Sequence, residues 1–133
     1  MAKNNGSSHT GRPTVFVIDD EEIIRTMATD MLTDSGYEVI SARDGEEALE
    51  LFRESAHKID IVLLDMIMPG LGGSEIFDLL RQINPDVKVI FSSGFSAEEL
   101  PHGLLQQGTT DFIEKPYRID ELLAKISSMI QGD

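Results

Sequence analysis

A few residues have the types and spacing for phosphoryl chemistry. Asp19 and Asp20 directly follow the apolar run 14–18 (TVFVI), and Glu21 and Glu22 come next. Asp65 ends the run 59–64 (IDIVLL), Ser93 ends 88–92 (KVIFS), and Lys115 with Pro116 follows 111–114 (DFIE). If these runs are neighbouring parallel strands, their carboxyl ends deliver Asp19, Asp20 and Asp65 to one small region, the place where open α/β sheets bind ligands. Bare carboxylates about 4 Å apart repel by roughly 4 kcal/mol at an effective dielectric near 20. A cation is therefore expected among them. Oxygen donors without His or Cys suit a hard ion, and the sequence lacks the Asp-rich twelve-residue calcium loop, so Mg²⁺ is the expected cofactor. With Mg²⁺ held by so few carboxylates, positions stay open for phosphoryl oxygens. An Asp oxygen can then attack phosphorus, while Mg²⁺ and the Lys115 ammonium offset charge on the equatorial oxygens and Ser93 donates a hydrogen bond to one.

Each of these residues also has a plainer reading. Asp19 and Asp20 would suit the first turn of a helix, where the macrodipole favours acids. Asp65 could cap a turn before Pro69, but an ionised Asp ending IVLL is costly unless paired. Lys115 could be a salt-bridge partner for the acids, and its charge alone does not separate that role from a chemical one. Ser93 is preferred to Ser92 because it directly precedes Gly94. Phe112, in a short strand, would ordinarily be core. His9, His57 and His102 read as solvated surface groups.

The elements that must position these residues follow from periodicity. Runs 14–18, 59–64 and 88–92 are β-branched and nearly continuous, as strands buried on both faces of a parallel sheet read; 38–42 (EVISA) and 111–114 supply two more. Ile24, Met27, Ala28, Met31 and Leu32 form one helical stripe, with Gly36 placed for a left-handed cap. Asp44 with Glu47 makes a capping box before Ala48, Leu49 and Phe52. Ile76, Leu79, Leu80 and Ile83 mark a third helix that stops before Pro85. Ile119, Leu122, Leu123, Ile126, Met129 and Ile130 mark the last. Between them, Ser96 and Glu99 suggest a cap that Pro101 contradicts, so a fourth helix is expected to begin near Pro101 and end before Gly108. Five strand–helix units joined by right-handed crossovers give a doubly wound α/β sheet with helices on both faces. Residues 1–12 read as a loose polar tail and 13–133 as one domain.

Composition narrows the function. The 133 residues carry a formal net charge of −13, which opposes direct binding to nucleic-acid phosphates. There is no Cys, hence no disulfide framework or thiol nucleophile. No apolar run approaches the length of a membrane span or a secretory leader, so the chain is expected to be cytoplasmic. No second domain is expected beyond Asp133, so output is expected to pass through a partner.

Taken together, VFVIDDE, LLDMIMPG, FSSGF and FIEKP resemble, in order and spacing, the receiver domain of two-component response regulators over about residues 14 to 131. The resemblance implies a flavodoxin-like fold with five helices and five parallel strands in the order 2-1-3-4-5. It implies Asp65 as phosphoacceptor, Asp19, Asp20, Asp65 and the Ile67 backbone carbonyl as Mg²⁺ ligands, and Lys115 as the phosphate-binding ammonium. Ser93 and Phe112 take the places of the switch hydroxyl and switch aromatic, and Pro116 that of a proline after a cis peptide. The implied donor is a sensor histidine kinase or a histidine phosphotransfer protein. A downstream protein partner is implied too, as is a homodimer through the face of the fourth helix, fifth strand and fifth helix. The chain would be a stand-alone regulator, a relay station or the receiver of a hybrid sensor kinase, whose receivers the SGF and EKPY segments resemble. Ser93 stands where Thr is commoner, and Ile67 and Phe95 are apolar at two positions that influence phosphate loss, so slow self-dephosphorylation is expected. A phosphatase of the haloacid dehalogenase type would want a second acid two residues after its nucleophile, followed by Thr or Val, where this chain has Glu21 and Glu22. A flavodoxin-like binding module would want hydroxyls and amides in the first loop, where Asp20, Glu21 and Glu22 repel a phosphate.

Overall fold

In a computed structural model of the chain, the described residues are 11–131 except 97, 99, 102 and 107. His9, His102, Glu99 and most of the expected tail lie outside them. The elements run β1 (Thr14–Ile18), α1 (Glu22–Asp34), β2 (Glu38–Ala42), α2 (Gly45–Ser55), β3 (Ile61–Asp65), α3 (Gly73–Ile83), β4 (Val89–Ser93), β5 (Thr110–Glu114) and α4 (Ile119–Gln131). All strand pairs are parallel, in the order β2-β1-β3-β4-β5.

Alternation along the strands builds two cores. Phe16, Ile18, Val62, Leu64, Val89 and Phe91 face α2 and α3, where they meet Phe52, Ile76, Phe77 and Leu80. Val15, Val17, Ile61, Leu63 and Ile90 face α1 and α4, against Ala28, Leu32, Leu122 and Ile126. Every residue of β1, β3 and β4 is buried, which is why these strands read as continuous apolar runs. At roughly 1.5–3 kcal/mol for each large apolar side chain, this burial holds the three central strands and so their carboxyl ends.

The expected caps form. Asp44 accepts the Glu47 amide at 2.8 Å, and Glu47 reaches back to the Arg43 amide at 2.9 Å. Gly36, at φ +98°, closes α1 with Tyr37 N–H bonded to the Leu32 carbonyl and Gly36 N–H to that of Thr33, a Schellman arrangement.

The fourth helix is a correction. Four α-helices, not five, occur among the described residues, and its place holds one 3₁₀ turn, Leu104–Gln106. Pro101 lacks an amide donor, and Gly103 and Gly108 both sit in the left-handed region, at φ +85° and +82°. Those three residues leave room for a single turn, begun by Leu104 N–H on the Pro101 carbonyl.

Candidate functional site

Strand register assembles the site. Ile18 pairs with Leu64 and Asp65 with Ser92, so Asp19 emerges beside Asp65 where the central ladder ends. Ligand oxygens of Asp19, Asp20 and Asp65 lie within 4.8 Å of one another. Asp19 and Asp65 are 1% and 3% exposed, whereas Asp20 is exposed. Local bonds aim them: Asp19 Oδ1 accepts the Glu21 amide at 3.0 Å, and Asp65 Oδ1 accepts the Ile67 amide at 3.1 Å.

Lys115 enters from the end of β5, where its amide bonds the Ser93 carbonyl at 2.8 Å and its peptide bond to Pro116 is cis. Its ammonium lies 2.8 Å from Asp19 Oδ2, 3.3 Å from Asp65 Oδ2 and 3.8 Å from Glu21 Oε1. Burial alone would lower the Lys115 pKa, but the bond to Asp19 and the charges of Asp65 and Asp19 outweigh it and raise the value. Asp65 is pushed up to about 6, by burial first and by the Asp19 charge second, against the Ile67 amide and Lys115. One ammonium thus faces two buried carboxylates.

That imbalance suits a divalent ion. Asp19 Oδ2 and Asp65 Oδ2 share the single Lys115 ammonium, and the three candidate donors are all carboxylate oxygens, one of them on a solvent-exposed residue. The donor set fits Mg²⁺, which favours carboxylate and water oxygens.

The two serines separate. Ser92 Oγ takes the Tyr117 hydroxyl at 3.4 Å inside the α1/α4 core, whereas Ser93 Oγ, at the strand end, accepts the Phe95 amide at 3.0 Å. Phe112 is half-buried against the α2/α3 core. Ile67 and Phe95 are 62% and 52% exposed and put apolar groups next to the acids and to Ser93. Two residues escaped the reading of the sequence. Arg25 Nη1 donates to the Asp19 carbonyl at 2.8 Å, and buried Tyr117, its hydroxyl pKa pushed up to about 12 by burial, lies close enough to Lys115, Asp19 and Asp65 to feel their charges. The spacing of Arg25, six residues after Asp19, was the one available signal for the first; for Tyr117 it was adjacency to Pro116.

Residues 15–127 match the family model of the response regulator receiver domain. The chain belongs to that family. It is 35% identical to the chemotaxis protein CheY of Thermotoga maritima over 117 residues, 85% of this chain and 96% of that one. It is 32% identical to the sensor kinase CckA of Brucella abortus over 122 residues, 92% of this chain but only 13% of the kinase's length. A crystal structure of a response regulator receiver domain protein from Clostridium thermocellum superposes with a TM-score of 0.84 at 30% identity, covering 90% of this chain and 95% of that one. The receiver fold and the function of a phosphoacceptor signalling domain follow, and the phosphatase and flavin-module readings are not favoured. Receiver domains take a phosphoryl group from histidine kinases and act on downstream partners. No helix among the described residues is long and apolar enough to cross a membrane.

Proposed function

We propose that Asp65 accepts the phosphoryl group, with Mg²⁺ held by Asp19, Asp20, Asp65 and the Ile67 backbone carbonyl, inside a receiver domain spanning residues 13–133. The observation that carries this reading is the Lys115 ammonium lying between Asp19 and Asp65, at 2.8 and 3.3 Å, among three converging acids. Bound there, Mg²⁺ would supply a Lewis acid to the phosphoryl oxygens. An Asp65 oxygen forms the new bond to phosphorus as the phosphorus–nitrogen bond of a phosphohistidine breaks, and the electron pair leaves on the imidazole nitrogen. The donor is a sensor histidine kinase or a histidine phosphotransfer protein, in the cytoplasm. Lys115, anchored by the β5 backbone, offsets the charge that builds on the equatorial oxygens.

Readout begins at Ser93. Its oxygen accepts from Phe95, which leaves its own proton to donate to a phosphoryl oxygen and draw the end of β4 inward. Phe112, half-buried on the adjacent strand, turns into the space released and reshapes the face made by the 3₁₀ turn, β5 and α4. That face binds a downstream partner or a second copy of the chain. Shifting such an equilibrium from 1:99 to 99:1 takes about 5.5 kcal/mol of differential stabilisation. Ile67 and Phe95 offer no side-chain polar atom to orient an attacking water, so the phosphoryl group leaves slowly.

Intact-mass measurement with acetyl phosphate as donor tests this. A single phosphoryl adduct is expected only with Mg²⁺, absent in Asp65→Asn, and persisting well beyond seconds once the donor is removed. An adduct that forms equally in Asp65→Asn, or that ignores Mg²⁺, overturns the assignment.

A further inference from the structure

Asp19 is the last residue whose backbone the sheet can hold. Its amide still bonds the Ala42 carbonyl of β2 at 3.1 Å, but pairing of β1 with β3 has ended at Ile18. The Asp19 carbonyl is therefore beyond the ladder, and the group that takes it is the Arg25 guanidinium, at 2.8 Å. This is an unexpected choice for a cation among acids. A cleft of about 1010 Å³ opens beside Asp20, with Glu22 and Asp44 on its walls as well as Arg25 and Arg43, yet among the described residues Arg25 forms no ion pair. Its charge is spent on a neutral backbone oxygen.

The consequence is geometric. The peptide between Asp19 and Asp20 is planar, so fixing the Asp19 carbonyl also fixes the Asp20 amide and the position of the Asp20 Cα from which its side chain departs. Asp20 is exposed, so burial does little to hold its side chain. Arg25 is itself rigidly based, half-buried on α1, with its amide on the Glu21 carbonyl at 2.9 Å. We propose that Arg25 is a positioning residue for the cation site: by clamping the Asp19 carbonyl it keeps the exposed Asp20 carboxylate converged on Asp19 and Asp65. This inference rests on the Mg²⁺ reading of the preceding section.

Electrostatics and positioning predict opposite signs here. A guanidinium near a cation site repels the ion, so if only charge mattered, removing it would tighten Mg²⁺ binding. If positioning dominates, removal loosens it, and outer-shell partners of metal ligands typically cost about 10–100-fold when lost. The experiment is a Mg²⁺ titration followed by backbone amide NMR on the wild type, Arg25→Ala, Arg25→Lys and Arg43→Ala. Arg43 shares the cleft but faces Asp44, at 3.9 Å, instead of the loop. Arg25→Ala is expected to weaken Mg²⁺ roughly tenfold, with faster hydrogen exchange at the Asp20 and Glu21 amides. Arg25→Lys, which keeps the charge on a shorter stem, is expected to weaken it less, and Arg43→Ala to leave it unchanged or tighter. Equal or tighter binding by Arg25→Ala overturns the proposal. Should that variant fail to fold, Arg25→Lys decides alone, and wild-type affinity there overturns it. A wild type that takes up no Mg²⁺ at millimolar concentration overturns the metal reading itself, a result distinct from any ranking of the variants.

Discussion

The carboxyl edge of the sheet has two unlike halves. On the β1/β3 side the loops are tied at several points: the Asp19 backbone by Ala42 and Arg25, the Asp19 and Asp65 side chains by the Glu21 and Ile67 amides, and the start of α3 by Gly73 N–H on the Met66 carbonyl and Gly72 N–H on Glu75. A methyl group at Gly73 would stand 2.7 Å from the Met66 Cα, which shows how closely that loop is packed. On the β4/β5 side a single 3₁₀ turn stands where a helix was expected, β5 has one fully buried residue, and Phe95 projects into solvent. Placing carboxylates around an ion and a transferring phosphoryl group tolerates little misplacement, whereas a switch needs two arrangements of similar free energy. The close hydrogen bonding of the first half suits the first task, and the sparser packing of the second suits the other.

Core truncation gives the largest test of that contrast. Leu64, fully buried in β3, and Leu104, buried in the 3₁₀ turn, belong to the same α2/α3 core. Leu64→Ala should cost about 3–5 kcal/mol of unfolding free energy and Leu104→Ala about 1–2 kcal/mol, since loosely packed surroundings collapse more easily around a deletion. Urea denaturation measures both. Equal losses would mean that the two halves are equally well packed and that the switch lies elsewhere.

The same contrast explains what could be read from the sequence. Continuous apolar runs made β1, β3 and β4 legible, and their buried ends made Asp19 and Asp65 legible as acids in need of a cation. The preference for Ser93 over Ser92 rests on its neighbour Gly94, and in the structure the two hydroxyls differ in place, Ser92 meeting Tyr117 in the α1/α4 core and Ser93 accepting the Phe95 amide at the strand end. The fourth helix was misread because Pro101 was weighed as a late start, while the left-handed backbone at Gly103 and Gly108 has no periodic signature. Arg25 acts on a backbone carbonyl six residues back and Tyr117 on a residue 25 positions away, and neither contact has a periodic signature.

A middle-sized effect probes the charge balance on the ordered side. Lys115→Met keeps the unbranched stem but for its last atom and removes the ammonium facing Asp19 and Asp65, leaving two buried carboxylates that only a metal or protons can offset. Breaking a buried ion pair from one side costs about 3–5 kcal/mol, and the 15% exposure of Lys115 places this variant toward the lower figure. In chelator the variant should unfold at distinctly lower urea than wild type, and millimolar Mg²⁺ should restore much of the difference. A loss that Mg²⁺ leaves untouched would show that Lys115 serves the β5 loop and not the acids.

The smallest effect is a dependence on pH. In the metal-free protein the Asp65 carboxyl titrates near 6, above its ordinary value of 3.8, because burial and the Asp19 charge disfavour its ionised form. A group whose pKa rises on folding binds its proton more tightly in the folded state, so its contribution to stability is complete below the ordinary value and is lost as pH climbs through about 6. Asp65→Asn carries no such proton. In chelator at pH 7.5 the Asn variant should therefore be more stable than wild type, and the gap should narrow as the buffer is taken down toward pH 4.5. Mg²⁺ should narrow it from the other direction by stabilising the wild-type carboxylate at pH 7.5. A wild type as stable as the Asn variant at pH 7.5 without metal would mean that Lys115 already neutralises Asp65. The ordered half would then hold no electrostatic strain for an ion to relieve.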